Sequence, residues 1–356
     1  MKIVFLGLSI TSSWGNGHAT NYRALVRALT ARGHDVLFLE RDAPWYAAHR
    51  DLPEPPWGRT ELYASLDDLR SRFSVEVAAA ELVVVGSYVP QGAAVAEWTL
   101  EAAGGAVAFW DIDTPVTVGK LNAGADEYLS RALVPRFDLY LSFTGGPLLD
   151  RIEKEFGARR ARPFYCMADA EAYGPVDAPT RWLLGYLGTY SVDRQPALKR
   201  LLLDVAPELP AERFVVAGPQ YPEGVDWPEN VDEIDHVAPA DHPRFYAQQR
   251  FTLNVTRAAM VEAGWSPSVR LFETAACGVA AISDPWPGLD SFFRPGEEIL
   301  VADSTETMIR LLRKHRPEDA RVIGEAARRR VLAEHTPERR AEELEAYVRD
   351  VMPVPA

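Results

Sequence analysis

Short apolar runs, many closed by Gly, Asp or Thr and each followed by a polar, helix-like stretch, recur along almost the whole chain. They lie at 3–7, 34–40, 82–86, 106–111 and 139–143, then at 182–187, 213–218, 251–256, 278–284 and 298–301, with a weaker run at 232–237. These runs are continuously apolar instead of alternating, so such strands would be covered on both faces. Strands of that kind separated by helices define a parallel, doubly wound α/β sheet. Between them, 165–180 turns polar and Pro-containing without period, which is how a connection between domains reads. The expected layout is one doubly wound domain at 1–168, a second at 169–335 and a terminal helix at 336–356. Helices are expected at about 19–32, where Gly33 supplies the stop, at 196–205, and through the Arg- and Glu-rich tail at 306–351.

The chain of 356 residues is long enough for two such cores. Its net charge of −13 argues against a nucleic-acid partner, because phosphate backbones are held by clustered Lys and Arg. Cys166 and Cys277 stand far apart without metal spacing and read as small buried hydrophobes in a reducing compartment. Residues 1–7 are too short for a secretory signal, and no run approaches the roughly 20 apolar residues of a membrane span. A cytoplasmic protein acting on small molecules is the expectation.

In open parallel sheets, ligands bind beyond the carboxyl ends of the strands, and four stretches there carry chemistry. In the first, 9–20, Gly15 and Gly17 permit close backbone approach and His18 stands at a helix start. The dinucleotide fingerprint and the Walker lysine are both absent. In the second, Asp111 and Asp113 follow an apolar strand. They read either as a D-x-D cation clamp, or as one base or hydroxyl acceptor beside a capping residue, and the second reading is preferred. In the third, Gly188 and Thr189 form a phosphate-accessible turn, with Arg194 as a fixed cation. The fourth, 266–284, places Ser266, Ser268 and Arg270 at a helix N-terminus, where phosphate binds readily, with Glu273 a turn further in to accept from a ribose. Arg270 and Glu273 would equally serve as a solvated ion pair on a surface helix.

Two doubly wound halves, the segment 32–36, and Arg270-Leu271-Phe272-Glu273-Thr274-Ala275-Ala276-Cys277-Gly278 resemble the GT-B glycosyltransferases, group 1 (family 4-like), in the branch with CgeB-like proteins. Asp284, 287–289, Phe293, 295–298 and 303–304 extend the match. The resemblance implies two Rossmann-like domains facing a central cleft, with the last helix crossing back onto the first domain. It also implies transfer of a sugar from a nucleoside diphosphate sugar to an acceptor, with no metal and no cofactor beyond that co-substrate. Glu273 is similar to the ribose-binding Glu, Arg194 to the basic residue on the diphosphate, and Gly17 and His18 to the N-terminal glycine loop, where His18 or Asp113 would act as base. Family 4 retaining enzymes carry a second Glu eight residues before Glu273, where this chain has Trp265, so retaining and inverting outcomes both stay open. Asn254, Arg257 and His236 are further cleft-side candidates, with Lys199 as a second cation. An epimerase or hydrolase acting on the same sugar nucleotides, and a binding protein without turnover, are the alternatives. Acceptor, donor base and oligomeric state are not written in the sequence.

Overall fold

Strand-forming runs that are buried on both sides cannot end at a sheet edge facing water on either face, and the chain resolves this by covering two parallel sheets with helices. The computed structural model describes residues 1–14 and 17–352. Its elements run β1 Lys2–Gly7, α1 His18–Ala31, β2 Asp35–Arg41, α2 Pro44–Ala47, β3 Arg59–Tyr63, α3 Leu66–Ala79, β4 Leu82–Gly86, α4 Gly92–Ala102, β5 Ala106–Asp111, α5 Thr114–Asn122, β6 Leu139–Ser142, α6 Pro147–Phe156 and β7 Ala161–Pro163. They continue as β8 Trp182–Leu187, α7 Gln195–Leu198, β9 Phe214–Ala217, β10 Val231–Ile234, α8 His242–Ala247, β11 Gln249–Asn254, α9 Ala258–Ala263, α10 Val269–Ala276, β12 Ala280–Ser283, β13 Leu300–Val301, α11 Thr305–Lys314, α12 Pro317–Glu334 and α13 Pro337–Arg349.

Two units form. The first holds residues 1–167 together with 337–356, the second 168–336. In the first, seven parallel strands lie in the order β3-β2-β1-β4-β5-β6-β7. Strand order reverses between β1 and β4, so their carboxyl ends diverge into a crevice, the usual ligand position of such sheets. Phe5, Phe38, Val84 and Trp110 are core residues from four of these strands, and Leu25 and Leu29 of α1 pack against them. The terminal helix α13 adds Ala341, Leu344 and Val348 to that same core.

The second unit has six parallel strands in the order β10-β9-β8-β11-β12-β13, with its switch between β8 and β11. Leu184, Phe214, Phe251 and Ile282 carry its core. Helix α12 lies so close to β12 that a Cβ on Gly324 would stand 2.1 Å from the Gly278 carbonyl oxygen. Only a glycine fits that crossing.

Several expectations need correction. The helix expected at 196–205 is the short α7 followed by a π-helical turn at Lys199–Leu203, where the backbone under-winds to i→i+5 pairing, as in the Asp204 N–H to Lys199 carbonyl bond at 2.8 Å. The run expected at 278–284 narrows to Ala280–Ser283, since Gly278, at φ +72°, belongs to the turn that closes α10. The tail is three helices separated at Arg316 and Thr336, with Pro317 and Pro337 as the helix starters.

Candidate functional site

The second unit gathers its candidates at the carboxyl end of β8. Gly188 and Thr189 turn immediately after the strand, and the Arg270 guanidinium from α10 lies against that turn. A Cβ on Gly188 would stand 2.9 Å from Arg270 Nη2 and 2.6 Å from the Tyr186 hydroxyl, so the glycine is what admits the cation. Arg270 also covers the Tyr186 ring at 5.1 Å and donates from Nη1 to Asn254 Oδ1 at 3.5 Å. From the other side, Arg194 donates from Nη2 to the Thr189 carbonyl oxygen at 2.8 Å, while its Nε is shielded from solvent without a hydrogen-bond partner. Two guanidiniums thus flank one two-residue turn, a geometry suited to a doubly charged phosphate chain. Tyr221, which sequence reasoning missed, donates its hydroxyl to the Gly188 carbonyl oxygen at 3.4 Å.

Glu273 sits on the second turn of α10, half-buried, and accepts from the Tyr246 hydroxyl at 3.4 Å. Burial raises its pKa, and hydrogen bonds from Tyr173 and Tyr246 together with the Arg270 charge oppose that rise. His242 joins this cradle. Its Nδ1 faces the Tyr173 hydroxyl at 3.3 Å and its Nε2 the Val237 carbonyl oxygen at 3.2 Å, and burial lowers its pKa. Neither tyrosine was singled out from the sequence, because each reaches Glu273 from an element remote in the chain. Ser268 holds the N-cap position of α10 with no side-chain cap bond, so its hydroxyl is not spent on its own helix. Ser266, two residues earlier, is buried.

Other candidates are repositioned. Asn254 is fully buried and donates to Thr256 Oγ1 at 3.1 Å and Ser283 Oγ at 3.0 Å, so it anchors Arg270 from beneath and does not present itself to a ligand. Arg257 caps α9 and bears electrostatically on Asp193. The Asp193 carboxylate lies below its usual range despite burial, through Ser191, the Ala258 N–H, Arg194 and Arg257. Lys199 is exposed and paired with Asp204, and His236 is exposed on the connection after β10, so neither joins the Arg194–Arg270 group. Trp265, in the place of the missing carboxylate, takes φ +42°, donates its N–H to the Pro287 carbonyl oxygen at 2.7 Å and lies flat against Gly288.

In the first unit, the groups following β1, β4 and β5 meet. His18 is the first residue of α1, half-buried, with its ring 5.3 Å from that of Tyr88, edge to face. Burial pushes its pKa down from 6.5 to about 4, against the pull of Asp113, and its Nδ1 is shielded with no partner. Tyr88, held at φ +65°, donates its hydroxyl to Asp113 Oδ2 at 3.1 Å. A non-glycine residue in that region costs about 1–3 kcal/mol and marks a conformation the surroundings impose. Tyr128 and Lys120 complete the group, with Lys120 Nζ 5.3 Å and 4.8 Å from the Tyr88 and Tyr128 ring centres.

Asp111 departs from its expected role. It is fully buried and accepts from Thr117 Oγ1 at 2.6 Å and the Tyr140 hydroxyl at 2.5 Å. Burial lifts its pKa to about 6 against those two bonds. It fixes the start of α5, and both its oxygens are engaged within the fold, away from solvent. Gly17 is exposed at the N-cap position of α1, and Gly15 lies outside the described residues. Among the described residues no three His, Cys, Asp or Glu side chains are grouped to hold a metal ion. No helix among them is long and apolar enough to cross a membrane.

Residues 194–346 match the family described as glycosyl transferase-like. No curated protein matches the chain by sequence. Solved structures match it nearly end to end. Sucrose-phosphate synthase from Thermosynechococcus elongatus superposes with a TM-score of 0.69 at 16% identity, covering 98% of both chains. HepE from Anabaena, solved with UDP and glucose, gives 0.68 at 13% identity over 98% of this chain and 99% of its own. An α-glucosyltransferase solved with UDP and DNA gives 0.69 at 11% identity over 98% and 99%. The fold is the GT-B fold, two Rossmann-like α/β units.

Proposed function

We propose that the protein is a glycosyltransferase that moves a sugar from a nucleoside diphosphate sugar to an acceptor hydroxyl, without a metal ion and with no cofactor beyond that co-substrate. The observation that carries this reading is the pair of guanidiniums, Arg194 and Arg270, on the Gly188–Thr189 turn, with Glu273 a short way along the same helix as Arg270. The solved structures that resemble the chain include HepE with UDP-glucose and an α-glucosyltransferase with UDP-glucose, which supports the choice of ligand.

On this reading the diphosphate lies on the backbone of Gly188 and Thr189, neutralised by Arg194 and Arg270, with the free N–H groups and Ser268 hydroxyl at the start of α10 directed to it. Glu273, kept in place by Tyr173 and Tyr246, accepts from the ribose hydroxyls. Departure of the diphosphate builds negative charge where two fixed cations already stand, which is how a preorganised site lowers a barrier. In the first unit, neutral His18 or Asp113 takes the acceptor proton if the outcome is inverting. If it is retaining, the leaving phosphate oxygen takes it. Metal independence is supported by Asp111 being consumed by Thr117 and Tyr140, which leaves the D-x-D pair one carboxylate short of a clamp.

The test is a thermal-shift panel of UDP, GDP and dTDP, since a ligand that binds only the folded state raises its melting temperature. One of the three is expected to stabilise the wild type. Glu273→Ala should weaken that nucleotide roughly tenfold, by losing hydrogen bonds to a charged acceptor. Arg194→Ala should lower turnover more than affinity, and activity should survive EDTA. No shift with any nucleotide, or equal shifts in Glu273→Ala, overturns the donor site. Sugar isomerised or released from the donor alone would favour the epimerase or hydrolase alternative.

A further inference from the structure

The second sheet has another cavity at its opposite edge, where strands begin. Thr180 precedes β8, Gln249 and Arg250 open β11, and Gly278 and Val279 lead into β12, which Ala280 opens. With Pro175, Val176, Ala247 and one face of α12, they enclose about 610 Å3. That is within the range of small-molecule sites, yet it lies away from the carboxyl ends where doubly wound sheets ordinarily bind.

Charge distinguishes this cavity from a packing defect. Arg250, Arg321 and Arg328 line it against a single acid, Glu325. Arg321 pairs with Glu325. Arg250 and Arg328 have no carboxylate within ion-pair distance among the described residues. Arg328 donates only from Nε, to the Ala276 carbonyl oxygen at 3.0 Å, and the Arg250 Nε is shielded from solvent with no partner at all. In a chain of net charge −13, two guanidiniums without a carboxylate partner lining one concave surface are a local excess of positive charge. Two such forks match the two charges and several acceptor oxygens of a phosphate monoester; a lone carboxylate would satisfy one of them. Pro175, Val176, Ala247, Val279 and Ala280 supply an apolar wall beside them.

We propose that this cavity binds a small phosphate-bearing metabolite, with Arg250 and Arg328 recognising the phosphate and the Pro175–Val176 side receiving the organic part. The site is separate from the Arg194–Arg270 group and does not depend on the donor reading. Binding of inorganic phosphate and of glycerol 3-phosphate is measured by calorimetry and thermal shift with the full chain, in wild type, Arg270→Gln, Arg250→Gln and the double variant Arg250→Gln, Arg328→Gln. Both probes are expected to bind wild type and Arg270→Gln alike, and to bind with UDP present. Glycerol 3-phosphate is expected to be the tighter. Arg250→Gln should weaken both about tenfold, the loss of one charge-assisted contact, and the double variant should abolish binding. Among the described residues the Arg250 side chain makes no hydrogen bond, so its single variant reads binding apart from stability. The proposal is overturned by no response in wild type, by loss of the response in Arg270→Gln or under UDP, or by unchanged affinity in Arg250→Gln.

Discussion

At the residue scale, His18 shows how position changes what a side chain can do. Placed at the mouth of α1 against the Tyr88 ring, it loses hydration, and its pKa falls from 6.5 to about 4. A base must be unprotonated at working pH, and burial alone secures this at neutrality. The same shift enters stability with a definite sign. A group whose folded pKa is depressed contributes stability that is complete above its unfolded value and is lost as pH falls toward the folded one. For His18 that window runs from 6.5 down to about 4. His18→Gln should therefore flatten the fall of melting temperature across that window. It should also lower turnover at neutral pH if His18 is the base. Melting curves at closely spaced pH values check the first, and a pH–rate profile the second. An unchanged slope between 6.5 and 4 would show that the imidazole titrates normally. Asp111 makes the complementary point: an aspartate like Asp113 and two residues from it, it is absorbed by Thr117 and Tyr140. Spacing alone could not tell the two apart, because the difference lies in partners contributed by α5 and β6.

At the element scale, the loop between α9 and α10 is built around a contact with no local signature. Trp265, at φ +42°, lays its ring on Gly288, where an added Cβ would meet indole carbons at 2.5 Å while the backbone holds φ +86°. Gly288→Ala must displace a large ring and adopt a left-handed conformation, so a loss of about 2–4 kcal/mol is expected from overpacking and strain together. Denaturant unfolding measures it; a loss below the cost of the backbone term alone would mean the indole moves freely. The strands themselves were largely legible, because β1, β4 and β5 are nearly continuous apolar runs that end at Gly7, Gly86 and Asp111, and β8 runs apolar up to the Gly188 turn. What escaped were β3 and β7, short edge strands whose residues are only partly buried and so carry no apolar run. The candidate site followed the same rule. Arg194, Arg270 and Glu273 could be read from a turn and a helix start. Tyr173, Tyr221 and Tyr246 could not, since only the packing of distant elements brings their hydroxyls to the site.

At the scale of the whole molecule, the chain leaves its first unit at Met167 and returns to it at Pro337. Helix α13 lies against α1 and seals it, with Ala341, Leu344 and Val348 fully buried. Glu345 fastens the join by accepting from Arg32 at 2.7 and 2.8 Å and lying 2.8 Å from His34 Nε2. Burying one Leu and one Val contributes on the order of 3–6 kcal/mol, a large part of the 5–15 kcal/mol typical of a domain. A chain ending at Thr336 should therefore retain an intact second unit and have a first unit that unfolds at a much lower temperature, giving two calorimetric transitions. A single unshifted transition would show that α13 contributes little. The ion pair can be read separately. Arg32 first and then His34 hold the Glu345 carboxyl down to about 2, from an ordinary 4.5. A carboxyl depressed in the folded state stabilises above its unfolded pKa and loses that contribution as pH falls toward the folded one. Glu345→Gln should thus melt below wild type at neutral pH, with the gap closing as pH is taken below 4.5; a gap independent of pH would assign the loss to packing instead of charge.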